Sequence, residues 1–114
     1  MRRKKCIHEK IVYSFNDKYS SIENNSQQLK ALLIKTTNEL KACYRASGFC
    51  CDTEPLPHRD HYFYFIMFVP LRNAIMQENY HLACHELHDI LNKALFHRAG
   101  LCYNLITLLE RVRE

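Results

Sequence analysis

The sequence predicts an all-α fold, a small bundle of about four helices, and three observations carry that expectation. The chain holds two Gly and three Pro in 114 residues, too few breaks for a turn-rich sandwich or barrel. Leucines recur at helical spacing in separate stretches near residues 29–44, 80–95 and 101–112. No pair of alternating apolar segments offers two strands to each other, and a lone strand leaves its backbone unpaired. A composition of 47% hydrophobic and 25% charged residues is that of an ordinary globular protein. At this length one core is expected, since two would each be too small.

Residues 1–21 read as a basic tail with a short docking strand or turn at 11–15, where Ile11, Val12, Tyr13 and Phe15 gather. Residues 22–114 read as the helical domain. Ser and Asn between Ser20 and Ser26 supply N-cap oxygens for a first helix over 26–46. Its stripe is Leu29, Leu32, Leu33, Leu40, Cys43 and Tyr44, and Ser47–Gly48 ends it. Pro55 and Pro57 then require a loop over 48–60, which also carries Cys50 and Cys51.

The run HYFYFIMFV at 61–69 suits a buried strand or a buried helix by composition. Helix is preferred because no partner strand is in view, and the aromatic run is assigned to the core. Pro70 marks a kink or restart, with helix to about 78 and a tight turn at Glu78–Asn79. Tyr80, Ala83, Leu87, Leu91, Ala94 and Leu95 outline an amphipathic helix to about 97. Ala99–Gly100 breaks it. Leu101, Leu105, Leu108, Leu109 and Val112 form the last stripe. The helices over 71–113 are expected to present a contact surface, with self-association into a dimer through the C-terminal leucines.

The formal charge of +4 sits at the N-terminus: Arg2, Arg3, Lys4, Lys5 and Lys10 face Glu9 alone, and the remaining 11 basic and 11 acidic side chains cancel. A neutral body argues against a broad nucleic-acid face. The tail still suits phosphate contacts or a nuclear address, and a solvated terminus is the plainer alternative. On the first helix Lys30, Lys35, Lys41 and Arg45 form a loose cationic band. An RNA-binding reading therefore draws on Arg2, Arg3, Lys4, Lys5, Lys30, Lys41 and Arg45.

Six cysteines stand at 6, 43, 50, 51, 84 and 102. No secretory signal is read at the start of the chain, so free thiols in the cytoplasm or nucleus are expected. The longest apolar stretch, 62–69, is far short of the ~20 residues that span a bilayer, so no membrane span is expected. Cys43, Cys50, Cys51, His58 and His61 read C-x6-C-C-x6-H-x2-H. From these, Cys50, Cys51, His58 and His61 are the candidate ligands of a structural zinc, and otherwise no cofactor is expected. A second set, His81, Cys84, His85 and His88, shares one helical face at offsets of 3, 4 and 7. Its alternative is a solvated polar face. With no phosphate loop, nucleophile elbow or zinc-protease motif, the chain is not expected to be an enzyme.

Two resemblances follow from local motifs. Leu82-Ala83-Cys84-His85-Glu86 reads L-x-C-x-E and resembles the motif by which viral oncoproteins and plant-virus cell-cycle proteins dock on the retinoblastoma pocket. The resemblance implies Leu82, Cys84 and Glu86 as contact residues, filling pockets from an extended segment. Tyr80 and His81 stand where that family usually has acidic residues. The hairpin Arg72–Leu95, with Asn79–Tyr80 before Ala83, resembles a tetratricopeptide-type helical pair, with no second copy along the chain.

The expected function is that of a small intracellular binding protein engaging a partner macromolecule through a helical surface. A viral accessory protein acting on a host factor fits the size and cysteine use. An RNA binder suppressing a host defence is the alternative, and pocket-protein docking through 82–86 a further one.

Overall fold

The computed structural model describes residues 7–22, 25–47, 68–92 and 99–112. Among them every element is a helix, and none is long and apolar enough to cross a membrane. In chain order these are α1 (Ile7–Ser21), α2 (Ser26–Ser47), α3 (68–76), α4 (Tyr80–Leu91) and α5 (Ala99–Leu109). The expected all-α bundle is what forms.

Helix α1 corrects the reading of residues 7–21 as a tail with a strand or turn at 11–15. Ile11, Phe15 and Tyr19 recur every four residues, so one helical face carries them all. Ile11 and Phe15 are buried, and Val12, Tyr19 and Ile22 pack on the same core. The contiguous cluster at 11–15 mimics a strand only until Tyr19 is counted with it. Glu9 in the first turn and Lys18 in the last complement the helix dipole. Ser20 and Ser21 turn their hydroxyls back to the Asp17 and Lys18 carbonyls at 2.9 Å, where the helix ends.

Helix α2 is the hub. Asn25 caps it, its Oδ1 accepting from the Gln28 N–H at 3.1 Å. Leu29, Leu32, Leu33, Thr36, Thr37, Leu40 and Cys43 are all buried, a face wider than one partner helix covers. The width follows from α2 packing against α1, α4 and α5 at once. Thr37 donates to the Leu33 carbonyl at 2.7 Å, whereas the Thr36 hydroxyl is buried without a partner among the described residues.

Helix α3 buries Phe68, Leu71, Ala74 and Ile75. It ends at 76, two residues before the expected stop, in a Schellman motif. The Glu78 N–H bonds to the Ile75 carbonyl at 3.0 Å and the Asn79 N–H to the Ala74 carbonyl at 2.9 Å. Glu78 stands between them at φ 57°, a left-handed position. The tight turn read at Glu78–Asn79 is thus this motif. Of the run at 61–69, Phe68 and Val69 are helical and the rest lies outside the described residues.

Asn79 also opens α4, its Oδ1 accepting from the Leu82 N–H at 3.1 Å. The buried stripe of α4 is Ala83, Cys84, Leu87, Ile90 and Leu91. The helix ends at Leu91, where Asn92 caps it and ties it to α1, and residues 93–97 of the expected helix lie outside the described residues. The Asn92 Nδ2 donates to the His88 carbonyl at 2.6 Å and to the Asn16 Oδ1 at 3.2 Å, and Asn16 returns the bond at 3.1 Å.

Helix α5 begins at Ala99, where a break was expected, so Ala99 and Gly100 open a helix instead of interrupting the chain. Leu105, Ile106, Leu108, Leu109 and Val112 are buried within the same chain. Within the chain this stripe packs against α2.

Candidate functional site

The outward side of α2 carries a concave surface. Gln27, Ala31, Ile34, Asn38 and Ala42 lie along one stripe at spacings of three and four, on the side left over by the core contacts. They line a groove of about 680 Å³. Its floor is apolar where the small Ala31 and Ala42 flank the half-buried Ile34. Its rim is charged: Lys30, Lys35 and Glu39 border it, two cations against one carboxylate. The Lys30 Nζ lies 5.5 Å from the centre of the Tyr80 ring on α4, a cation–π contact that holds this side chain against the bundle.

Sequence reasoning missed this groove. The large residues of α2 mark its core face, and the groove lies on the opposite side among small ones. The available signal was the 27, 31, 34, 38, 42 spacing, which keeps alanine where solvent-facing helix positions usually carry charge.

The band of α2 cations does not act as a unit. Lys41 closes on the Glu110 carboxylate at 2.7 Å, across the α2–α5 boundary. Lys30 is occupied as described. Arg45 and Lys35 are exposed. The tail cations Arg2, Arg3, Lys4 and Lys5 lie outside the described residues, as do the candidate zinc ligands Cys50, Cys51, His58 and His61.

The L-x-C-x-E segment covers the third to seventh residues of α4 and is helical throughout. Leu82 is partly exposed at 38%, Glu86 is half-buried, and Cys84 is fully buried. In a helix these three side chains point in different directions, so the extended row that pocket docking needs is not formed. The Cys84 Sγ–H donates to the Leu29 carbonyl on α2 at 3.4 Å, and burial pushes the thiol up to about 12. Thiolate chemistry at neutral pH is therefore closed to this residue.

The same burial dismantles the second metal set. Cys84 turns inward, while His81 and His85 are exposed and His88 lies beside the Tyr19 ring, centroids 5.3 Å apart. His85 and His88 both approach Asp89, at 3.9 and 3.8 Å. Among the described residues no group of His, Cys, Asp and Glu is arranged to hold a metal ion.

Tyr19 also stacks on Phe15 of its own helix at 5.6 Å, and its contact with His88 joins α1 to this corner. Burial, then the nearby Cys84 and Asp89, raise the Tyr19 phenol above its ordinary value. No protein-family model matches the chain, and no curated protein or solved structure is similar to it.

Proposed function

We propose that this chain is a small helical binding protein and that the groove along α2 takes an amphipathic helix of a partner protein. The supporting observation is an apolar floor of Ala31, Ile34 and Ala42 running along one exposed helix face. Small side chains let a second helix approach closely, and helix-in-groove recognition reads apolar anchors at i, i+3, i+4 and i+7. The rim of Lys30 and Lys35 against Glu39 suits a partner helix with acidic residues beside its apolar stripe. The reading is of binding and not catalysis, which suits described thiols that are both buried. An RNA-binding role for α2 gains little from Lys30 and Lys41, each already engaged within the chain.

The test places a photo-reactive residue at Asn38 and, separately, at Tyr103 on α5. Crosslinks to a partner from Asn38, lost when Ala31→Arg fills the groove, are expected. Crosslinks that form from Tyr103 alone, or that survive Ala31→Arg, would sink the assignment of this face.

A further inference from the structure

We infer that the cleft between α3 and α5 binds a phosphate ester. The cleft, about 230 Å³ in volume, is bordered by Arg72 of α3 and by Asn104, Thr107 and Arg111 at and just beyond α5. Its floor is apolar, formed by the buried Phe68 and Leu108. The α2 groove shares none of these residues, so this site stands apart from the reading given above.

Charge is the first argument. Both arginines are exposed, and neither guanidinium has a hydrogen-bond or ion-pair partner among the described residues. No Asp or Glu borders the cleft among those residues. Glu110, next to Arg111 in the chain, pairs with Lys41 at 2.7 Å. Two uncompensated guanidinium forks beside low-dielectric side chains attract an oxyanion, and their planar geometry matches phosphate oxygens in pairs. A phosphate monoester carries about −1.5 to −2 at neutral pH, which balances two arginines.

The hydroxyl narrows the ligand further. Thr107 Oγ1 donates to the Tyr103 carbonyl at 3.0 Å, which leaves its lone pairs to accept from a ligand in the cleft. A carboxylate has no proton to give it. A phosphate ester of a sugar brings hydroxyls beside the phosphate, and one of these supplies the donor. The Asn104 amide can serve either partner. Ribose phosphates, free or within an RNA strand, share the phosphate oxygens and the neighbouring hydroxyl, and an internal RNA phosphate brings one charge in place of two.

Titrating the isotope-labelled full chain separates the sources. Inorganic phosphate, ribose 5-phosphate, a short single-stranded RNA and its DNA counterpart are added in turn, and the Asn104 and Thr107 signals are followed by NMR. Ribose 5-phosphate should shift both and bind more tightly than inorganic phosphate. Arg72→Gln and Arg111→Gln should each weaken it about tenfold, as expected for one lost charge-assisted contact. Both side chains are exposed, so the variants should fold, and an unchanged melting temperature checks this. RNA bound more tightly than DNA, with both arginines needed and a salt slope lowered by about one per arginine, identifies a nucleic-acid backbone as the source. Ribose phosphate binding without RNA binding identifies a free small molecule. Equal affinity for inorganic phosphate and ribose phosphate removes the hydroxyl contact and overturns the ester. Silence at the cleft with every probe, or a double variant that binds as the natural chain does, overturns the site.

Discussion

The Cys84 thiol donates to the Leu29 carbonyl across 3.4 Å, joining the middle of α4 to the first turn of α2. Both residues are fully buried. Ionising this thiol would put an unpaired charge into the core, which is why its pKa rises from an ordinary 9.0 to about 12. The raised value fixes the direction of a pH effect. Below pH 9 the thiol is protonated in both the folded and unfolded chain, and its contribution to stability is fully present. Between 9 and 12 the unfolded chain gives up the proton while the folded one keeps it, so stability falls. The slope is about 1.4 kcal/mol per pH unit from one such group. Tyr19, raised by burial and then by Cys84 and Asp89, pulls in the same direction over its own range. Denaturant titrations from pH 8 to 11 should show this loss, and Cys84→Ala should flatten much of it. A profile unchanged by that substitution would refute the coupling.

Asn79 joins two helices with one residue, and the geometry predicts opposite outcomes for neighbouring substitutions. Its N–H closes the Schellman motif of α3 on Ala74, while its Oδ1 caps α4 at Leu82. Asn79→Ala removes the cap and should cost about 1 kcal/mol. Glu78 holds φ 57° with a Cβ in place, a conformation that costs a non-glycine residue about 1 kcal/mol. Glu78→Gly should therefore raise the melting temperature. Thermal unfolding of the two variants reads both signs, and a destabilised Glu78→Gly would count against the strain.

Those two residues also show what the sequence makes legible. A turn at Glu78–Asn79 was readable because two amphipathic stripes change phase there, and the stripes of α2 and α4 were readable because large leucines mark them. What escaped did so for physical reasons. The α1 face is carried by Ile11, Phe15 and Tyr19, sparse anchors among charges, and their spacing emerges only when Tyr19 is joined to the cluster before it. Gly100 reads as a break by propensity, yet the first turn of a helix tolerates it because those N–H groups have no intrahelical partner to lose. The α2 groove is defined by what is missing, small residues on an outer face. The inward turn of Cys84 could not be separated from the exposed His81 and His85 by spacing alone, since all three lie within one turn and a step.

Phe15 tests whether α1 belongs to the bundle. Its ring is buried, stacks on Tyr19 and belongs to the same core as Leu29 and Leu87. Phe15→Ala should cost about 3–5 kcal/mol, the range for truncating a buried aromatic side chain. Removing residues 1–21 should cost at least as much, because it also cuts the Asn16–Asn92 amide pair that ties α1 to the end of α4. A tail would give neither effect. Urea unfolding of both proteins decides the matter, and a midpoint unmoved by Phe15→Ala would return α1 to the status of an appendage.

Thr36 and Thr37 are adjacent on α2, both buried, and differ in one hydrogen bond. Thr37 donates to the Leu33 carbonyl at 2.7 Å, the usual way a helical threonine satisfies its hydroxyl. Thr36 Oγ1 has no partner among the described residues and no accessible surface. A buried hydroxyl left unpaired costs about 1–3 kcal/mol against the same site filled by an apolar isostere. Valine matches threonine in shape and carries no hydroxyl. Thr36→Val should thus stabilise the chain by about 1 kcal/mol or more. Thr37→Val gives up a formed bond along with the hydroxyl and should be near neutral or mildly destabilising. Measured side by side in urea, Thr36→Val should raise the midpoint, and Thr37→Val should leave it in place or lower it slightly. A Thr36→Val protein less stable than the natural chain would mean the hydroxyl is satisfied after all, and the core of α2 would then have a polar contact at its centre.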